Sequence, residues 1–197
     1  HAAYVSELLR DGKQVPTLFT AVVGLTIACV MVDVLHCMDL GITAHVLGNV
    51  FMSLIKRHAW GESTQDKTCQ RLDSEICTWY KRLPEKSKLQ GKLTLARLKS
   101  QSGYPKLKAK GAASRHLVEF ALDLWQRHST GDPSNDTVLA LLQVRVYFYR
   151  ILAAEGMYLS AEAKEKLPQL VRQFHCLYNL LAAEAVAAGQ RAWKMQP

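Results

Sequence analysis

Apolar residues recur every three or four positions over most of this chain, the signature of helices that bury one face. In 112–129 Leu117, Phe120, Ala121 and Leu124 face one way. In Ser63–Leu83 the stripe is Cys69, Leu72, Ile76 and Tyr80, with Ser63 as the expected N-cap and Pro84 as the stop. Past the break at Gly41, Ile42, Val46, Asn49/Val50 and Leu54 share a face, with Leu47, Phe51 and Ile55 beside them. Two longer helices follow. One opens at Asp132-Pro133 and closes at Gly156. The other is capped by Ser160 and is expected to kink or break at Pro168. A short N-terminal helix is expected over Ala2–Gly12, stopped by its glycine.

One stretch departs from this period. Gln14–Val32 carries no charge over 19 residues, close to the roughly 20 that span a bilayer. Pro16, Gly24 and the β-branched run "VVGLTIACVMV" favour a buried strand, with a membrane span or a buried helix as the alternatives. The expected architecture is therefore mainly α, a bundle of five to six helices with at most one or two short strands near residues 22–33. It divides into residues 1–60, the apolar segment with the helix after it, and 61–197, a helical region.

Composition supports a packed core: the 197 residues are 49% hydrophobic and 21% charged. The net charge of +8 is unevenly placed. Residues 81–115 hold eleven Lys/Arg against one acid, Glu85, and the remainder carries 14 basic and 16 acidic residues. Such a block suits a polyanion, and it equally suits a solvated lysine-rich loop. Within it Tyr104, Lys106, Lys108, Lys110 and Arg115 make a weak nucleic-acid motif: a ring to stack on a base, cations to meet phosphates. "RVYFYR" (145–150) also sets aromatics between arginines, but Tyr147 and Phe148 read as core. Five cysteines with no CxxC pair argue against a disulfide framework and a zinc ribbon, and for a reducing compartment. Cys176 is expected inside and its neighbour His175 outside. No Walker loop, GxGxxG, GxSxG or HExxH occurs. The chain begins at His1 and reads as a piece of a longer polypeptide.

The remaining chemistry lies in "VMVDVLHCMDLG" (30–41). Asp33 and His36, three apart, would project with Cys37 from one side of a first helical turn. Asp33 is also a good N-cap, and on residue chemistry alone the capped-helix reading is the stronger. A hard divalent ion would look to Asp33 and Asp39. Zinc would need further ligands, with His45 the nearest imidazole.

"DVLHCMDLGITAHVLGNVF" (33–51), "GYPKLKAKGAASRHLVEFAL" (103–122) and the tail "AGQRAWKMQP" together resemble the transposase-derived proteins of protists such as dinoflagellates. These are similar to DDE-type (CACTA- and Plavaka-like) transposases with an RNase H-like core. The resemblance implies that Asp33 and His36 form the C/D-x-x-H element beside the second catalytic aspartate, or that Asp33 is itself that acid and a metal ligand. It implies Mg²⁺ or Mn²⁺ as cofactor, two-metal strand transfer on DNA, a nuclear or otherwise intracellular setting, and contacts with other segments of the same longer chain. The first acid of the triad would then lie before His1, and if Asp33 only opens the C/D-x-x-H element the second acid would lie earlier too, where Asp11 is the only aspartate. The final glutamate is not identifiable among Glu155, Glu162, Glu165 and Glu184, so this stretch would be catalytically incomplete. The competing expectation is a non-enzymatic helical module that binds nucleic acid or protein through 81–115.

Overall fold

The computed structural model describes residues 35–83, 87–155 and 158–194. Residues 34–197 group as one compact unit. The Ala2–Gly12 helix, the strand near 22–33, the uncharged Gln14–Val32 stretch and Asp33 lie outside the described residues. So does any RNase H-like edge they would form.

The unit is mainly α. Its five helices are α1 (Ala44–Lys56), α2 (Gln65–Lys81), α3 (Gly111–Arg127), α4 (Pro133–Ala154) and α5 (Ala161–Ala187), and no strand occurs among the described residues. A π-helical lead-in, Leu35–Thr43, runs directly into α1. Gly41, expected as a break, sits inside that lead-in. The wider winding carries the coil through it without a stop.

α1 is the centre. Eleven of its 13 residues are buried, so it is covered almost all round rather than along one stripe. It packs against α2, α3 and the lead-in, while α3 packs on α4 and α4 on α5. Leu47, Phe51, Leu54 and Ile55 are fully buried, each contributing about 1.5–3 kcal/mol over its exposed state. A helix assigned by sequence to residues 1–60 thus belongs with the four that follow it. Its far end is tied down by Arg57, whose guanidinium lies 4.6 Å from the Trp125 ring centre and donates to Asn135 Oδ1 and the His128 carbonyl.

The caps follow the sequence with one shift. Thr64, not Ser63, caps α2, its hydroxyl accepting from Lys67 N at 3.2 Å. Asp132 accepts from Asn135 N at 2.9 Å ahead of Pro133, and Ser160 accepts from Ala163 N at 3.1 Å. The apolar stripes expected for α2 and α3 are buried. α5, however, runs unbroken through Pro168 for 27 residues. The ring is exposed, and Leu167 and Leu170 on either side are buried against α4, so packing outweighs the one backbone bond lost. Tyr147, read as core, is 45% exposed, and only Phe148 of that pair is buried. Cys176 is exposed as well, like His175. By length and composition Met38–Lys56 and Pro133–Ala154 are apolar enough to cross a membrane, though 72% of the first window is buried within the unit.

The basic segment docks on α1 through its backbone. Leu107 N donates to the Ala44 carbonyl at 2.8 Å, and His45 Nδ1 donates to the Pro105 carbonyl at 3.0 Å. Burial holds the His45 pKa below its ordinary value, in keeping with a neutral ring that donates from Nδ1. At Gly48 the two backbones touch: a Cβ there would lie 2.4 Å from Lys106 N and 2.5 Å from its Cα. Ordinary helix propensity favours alanine over glycine by about 1 kcal/mol. Here the sign reverses. Gly48→Ala is expected to lower stability by about 1–3 kcal/mol, read as a drop in chemical-denaturation midpoint. A neutral or stabilising result would show that the loop does not press on α1.

Candidate functional site

The unit holds a buried polar cluster where the lead-in, α3 and α4 meet. Asp39, from the lead-in, has no exposed surface. Its Oδ2 accepts two bonds from Arg115 of α3, from Nε at 3.0 Å and Nη2 at 2.6 Å, and its Oδ1 accepts from the Tyr149 hydroxyl of α4. Arg145, one turn earlier on α4 and 2% exposed, donates through Nε (3.1 Å) and Nη2 (2.6 Å) to Thr43 Oγ1. Its Nη2 also reaches Tyr149 Oη at 3.2 Å and the Met38 carbonyl at 3.4 Å. The proton assignment follows. Tyr149 gives its only proton to Asp39, so Thr43 must be the donor in the 2.8 Å bond between the two hydroxyls.

Burial pulls the Arg145 guanidinium below its ordinary pKa, and Tyr149 and Asp39 pull it back. Aromatic faces share the load: its guanidinium carbon lies 4.9 Å from the Tyr149 ring centre and 5.2 Å from those of Phe148 and Phe174. The Tyr149 phenol is pushed up to about 12, chiefly by burial. Asp39 is thus a carboxylate with both oxygens engaged and a guanidinium against it. That is a structural anchor, ill suited to a divalent cation. Among the described residues no group of three or more His, Cys, Asp or Glu is placed to hold a metal.

The sequence-derived candidates separate. Asp33 lies outside the described residues, and His36 is placed only as a position in the π-helical lead-in. Arg115 is drawn inward to Asp39, its side chain 41% exposed, so it joins the cluster rather than the basic surface. Tyr104, Lys106, Lys108 and Lys110 stay on the loop, with Lys108 and Lys110 exposed and Tyr104 and Lys106 half-buried.

That loop, 87–110, has a fixed shape. Leu93, Leu98 and Leu107 are buried in the main core. Leu93 N donates to Asp73 Oδ1 and Leu89 N to Tyr80 Oη, pinning it to α2. Arg97 braces it from inside: Nη1 donates to the carbonyls of Gln90 (2.6 Å) and Lys92 (3.1 Å), and Nη2 to that of Lys108 (2.9 Å). A turn with Gly103 at φ +80° and a bridge between Lys99 and Pro105 close the far end. Seven cations and no acid lie between Ser87 and Lys110. In the extended run 106–110, side chains alternate: Leu107 points into the core and Lys108 and Lys110 point out.

Sequence reasoning does not find Tyr149 as a partner of Asp39 or Arg145 as the partner of Thr43, although their positions carry a signal. Val138, Leu142, Arg145 and Tyr149 repeat at spacings of four, three and four, which sets Arg145 on the inner face of α4. No protein family, curated protein or solved structure matches the chain.

Removing Asp39 would leave the Arg115 guanidinium and the Tyr149 hydroxyl without their acceptor. Asp39→Ala is expected to cost about 3 kcal/mol or more, and Arg115→Ala less, because Arg115 reaches water. Equal losses in urea titrations would contradict the anchor role. The phenol adds a pH dependence. Tyr149 ionises at about 12 folded against an ordinary 10, so the unfolded chain releases this proton first. The stability contributed is whole below pH 10 and falls away between pH 10 and 12, by about 2–3 kcal/mol. Tyr149→Phe should flatten that alkaline decline, and an unchanged slope would exclude it.

Proposed function

We propose that the 34–197 unit is a non-enzymatic nucleic-acid-binding module that meets the phosphate backbone with the lysines of loop 87–110. One observation carries the reading. The loop spends its leucines on the core and Arg97 on its own backbone, and leaves Lys88, Lys92, Lys99, Lys108 and Lys110 exposed with no acid among them. A floppy lysine tract would pay ordering entropy on binding; a braced one presents its charges already in place. The pairing of Arg115 with Asp39 narrows the contact set to the lysines, with Tyr104 beside them. If the chain is transposase-like, this is its DNA-holding part, and any Mg²⁺- or Mn²⁺-dependent strand transfer would depend on Asp33 and on acids supplied elsewhere.

The test is the salt dependence of binding to a short DNA duplex, followed by fluorescence anisotropy. Affinity should fall steeply with salt, by about 0.9 in the log–log slope per phosphate neutralised. Lys106→Gln/Lys108→Gln/Lys110→Gln should reduce that slope by about 2–3. Asp33→Ala and His36→Ala should leave it unchanged. Binding that ignores salt, or that the triple substitution does not weaken, would refute the reading.

A further inference from the structure

A cavity of about 330 Å³ lies between α1, the start of α4 and the tail 190–193, within the range of ligand-sized sites. Met52, Val138 and the Trp193 ring give it an apolar wall, and Lys56 and Arg57 are its cations. No Asp or Glu lines it. Asp132, which caps α4 beside Ser134, is already engaged by Thr130 and Asn135. The amides of Asn49 and Asn135 are held within the fold. That leaves Ser53, Ser134 and Gln190 as the neutral polar groups open to a ligand.

Two features of this lining go beyond what folding requires. Arg57 gives Nη1 to Asn135 and Nη2 to the His128 carbonyl, but its Nε is buried with no acceptor. Buried donors are nearly always paired, so this one calls for a partner. Trp193 is the second feature. Its φ of +48° lies in the left-handed region, where a bulky side chain costs about 1–2 kcal/mol. Two contacts impose that conformation: Trp193 N donates to Asn49 Oδ1 at 2.9 Å, and its ring meets Tyr178 edge-on at 5.7 Å. Strain of this kind persists where the position of a side chain matters.

The cavity adjoins the lysine loop. Pro105 lines it, one residue before Lys106. Arg191, between Gln190 and Ala192 of the tail, lies over the loop's turn: a Cβ at Gly103 would come within 3.3 Å of its Nη1. Lys56 and Arg191 are both exposed. An aromatic wall, neutral donors and acceptors, and cations without acids are what a nucleobase and its phosphate require.

Building on the reading of the loop as a phosphate-binding surface, we propose that this cavity receives an unpaired nucleobase from the strand that the lysines hold. The base stacks on Trp193, its edge meets Ser53, Ser134 and Gln190, and a base carbonyl supplies the acceptor for Arg57 Nε. A base inside a duplex has neither its face nor its pairing edge free, so the ligand is single-stranded.

Fluorescence anisotropy with two labelled strands tests it: an oligothymidylate of about eight nucleotides, and a strand of equal length lacking every base. Both carry the same phosphates, so the loop alone would bind them equally. The base-bearing strand should bind about tenfold more tightly, the effect of one stacked base. Ser53→Phe, which sets a ring in the cavity, should erase that preference. Gln190→Ala should reduce it about threefold. Both should leave the salt slope at the parent value. Gln190 is exposed, so its variant should melt with the parent and keeps the test readable if Ser53→Phe does not fold. The Lys106/Lys108/Lys110 variant should weaken both strands and keep the preference. Equal affinity for the two strands with steep salt dependence, or a preference unchanged in the cavity variants, would overturn the cavity site and leave the loop reading standing. Salt-independent binding, or none by either strand, would refute the loop reading and this one with it.

Discussion

The carboxylate of Asp39 is the constraint on which the unit is built. A buried charge without partners is costly, and leaving it unpaired would offset about two buried leucines. Only one arrangement satisfies it: Arg115 from α3 on one oxygen and Tyr149 from α4 on the other. Because the acid sits on the lead-in to α1, satisfying it draws three separate pieces of chain to one point. Arg145 extends the network to Thr43, at the junction where the π-helical winding becomes α1. Apolar packing alone would tolerate a helix sliding or rotating by a residue. This network does not, since its bonds tie named atoms of the lead-in, α3 and α4 to one another.

How far the fold was legible depends on where the signal lay. Helix number, the stripe of α2 and the caps at Asp132 and Ser160 follow from local pattern and side-chain chemistry, which operate within a few residues. The misreadings came from terms that local pattern does not hold. Of the kink or break expected at Pro168 the break does not occur, because α4 supplies packing on both sides of it. Gly41 stops an α-helix and does not stop a wider coil. Tyr147 looked like its neighbours until the register of α4 turned it outward.

The candidate site was harder to read for the same reason. "VMVDVLHCMDLG" drew the eye to Asp33 and His36, while the residue with a described role is Asp39, six positions after Asp33. Its partners are 76 and 110 residues away, beyond the reach of any spacing rule. Arg115 was counted with the basic segment because charge is additive in a sequence. In the folded chain it belongs to a carboxylate. Lys108 and Lys110 are exposed and Lys106 is half-buried, with Leu107 between them in the core.

Loop 87–110 divides its labour between two kinds of residue. Leucines, Arg97 and backbone bonds define its path, and the ammonium groups of the exposed lysines take no part in it. Shape and charge therefore vary separately. Losing one lysine, through mutation or acetylation of its amine, subtracts a single unit of charge and leaves the scaffold as it was. The attraction to a polyanion is adjustable in steps, like weights lifted one at a time from a balance whose beam stays rigid.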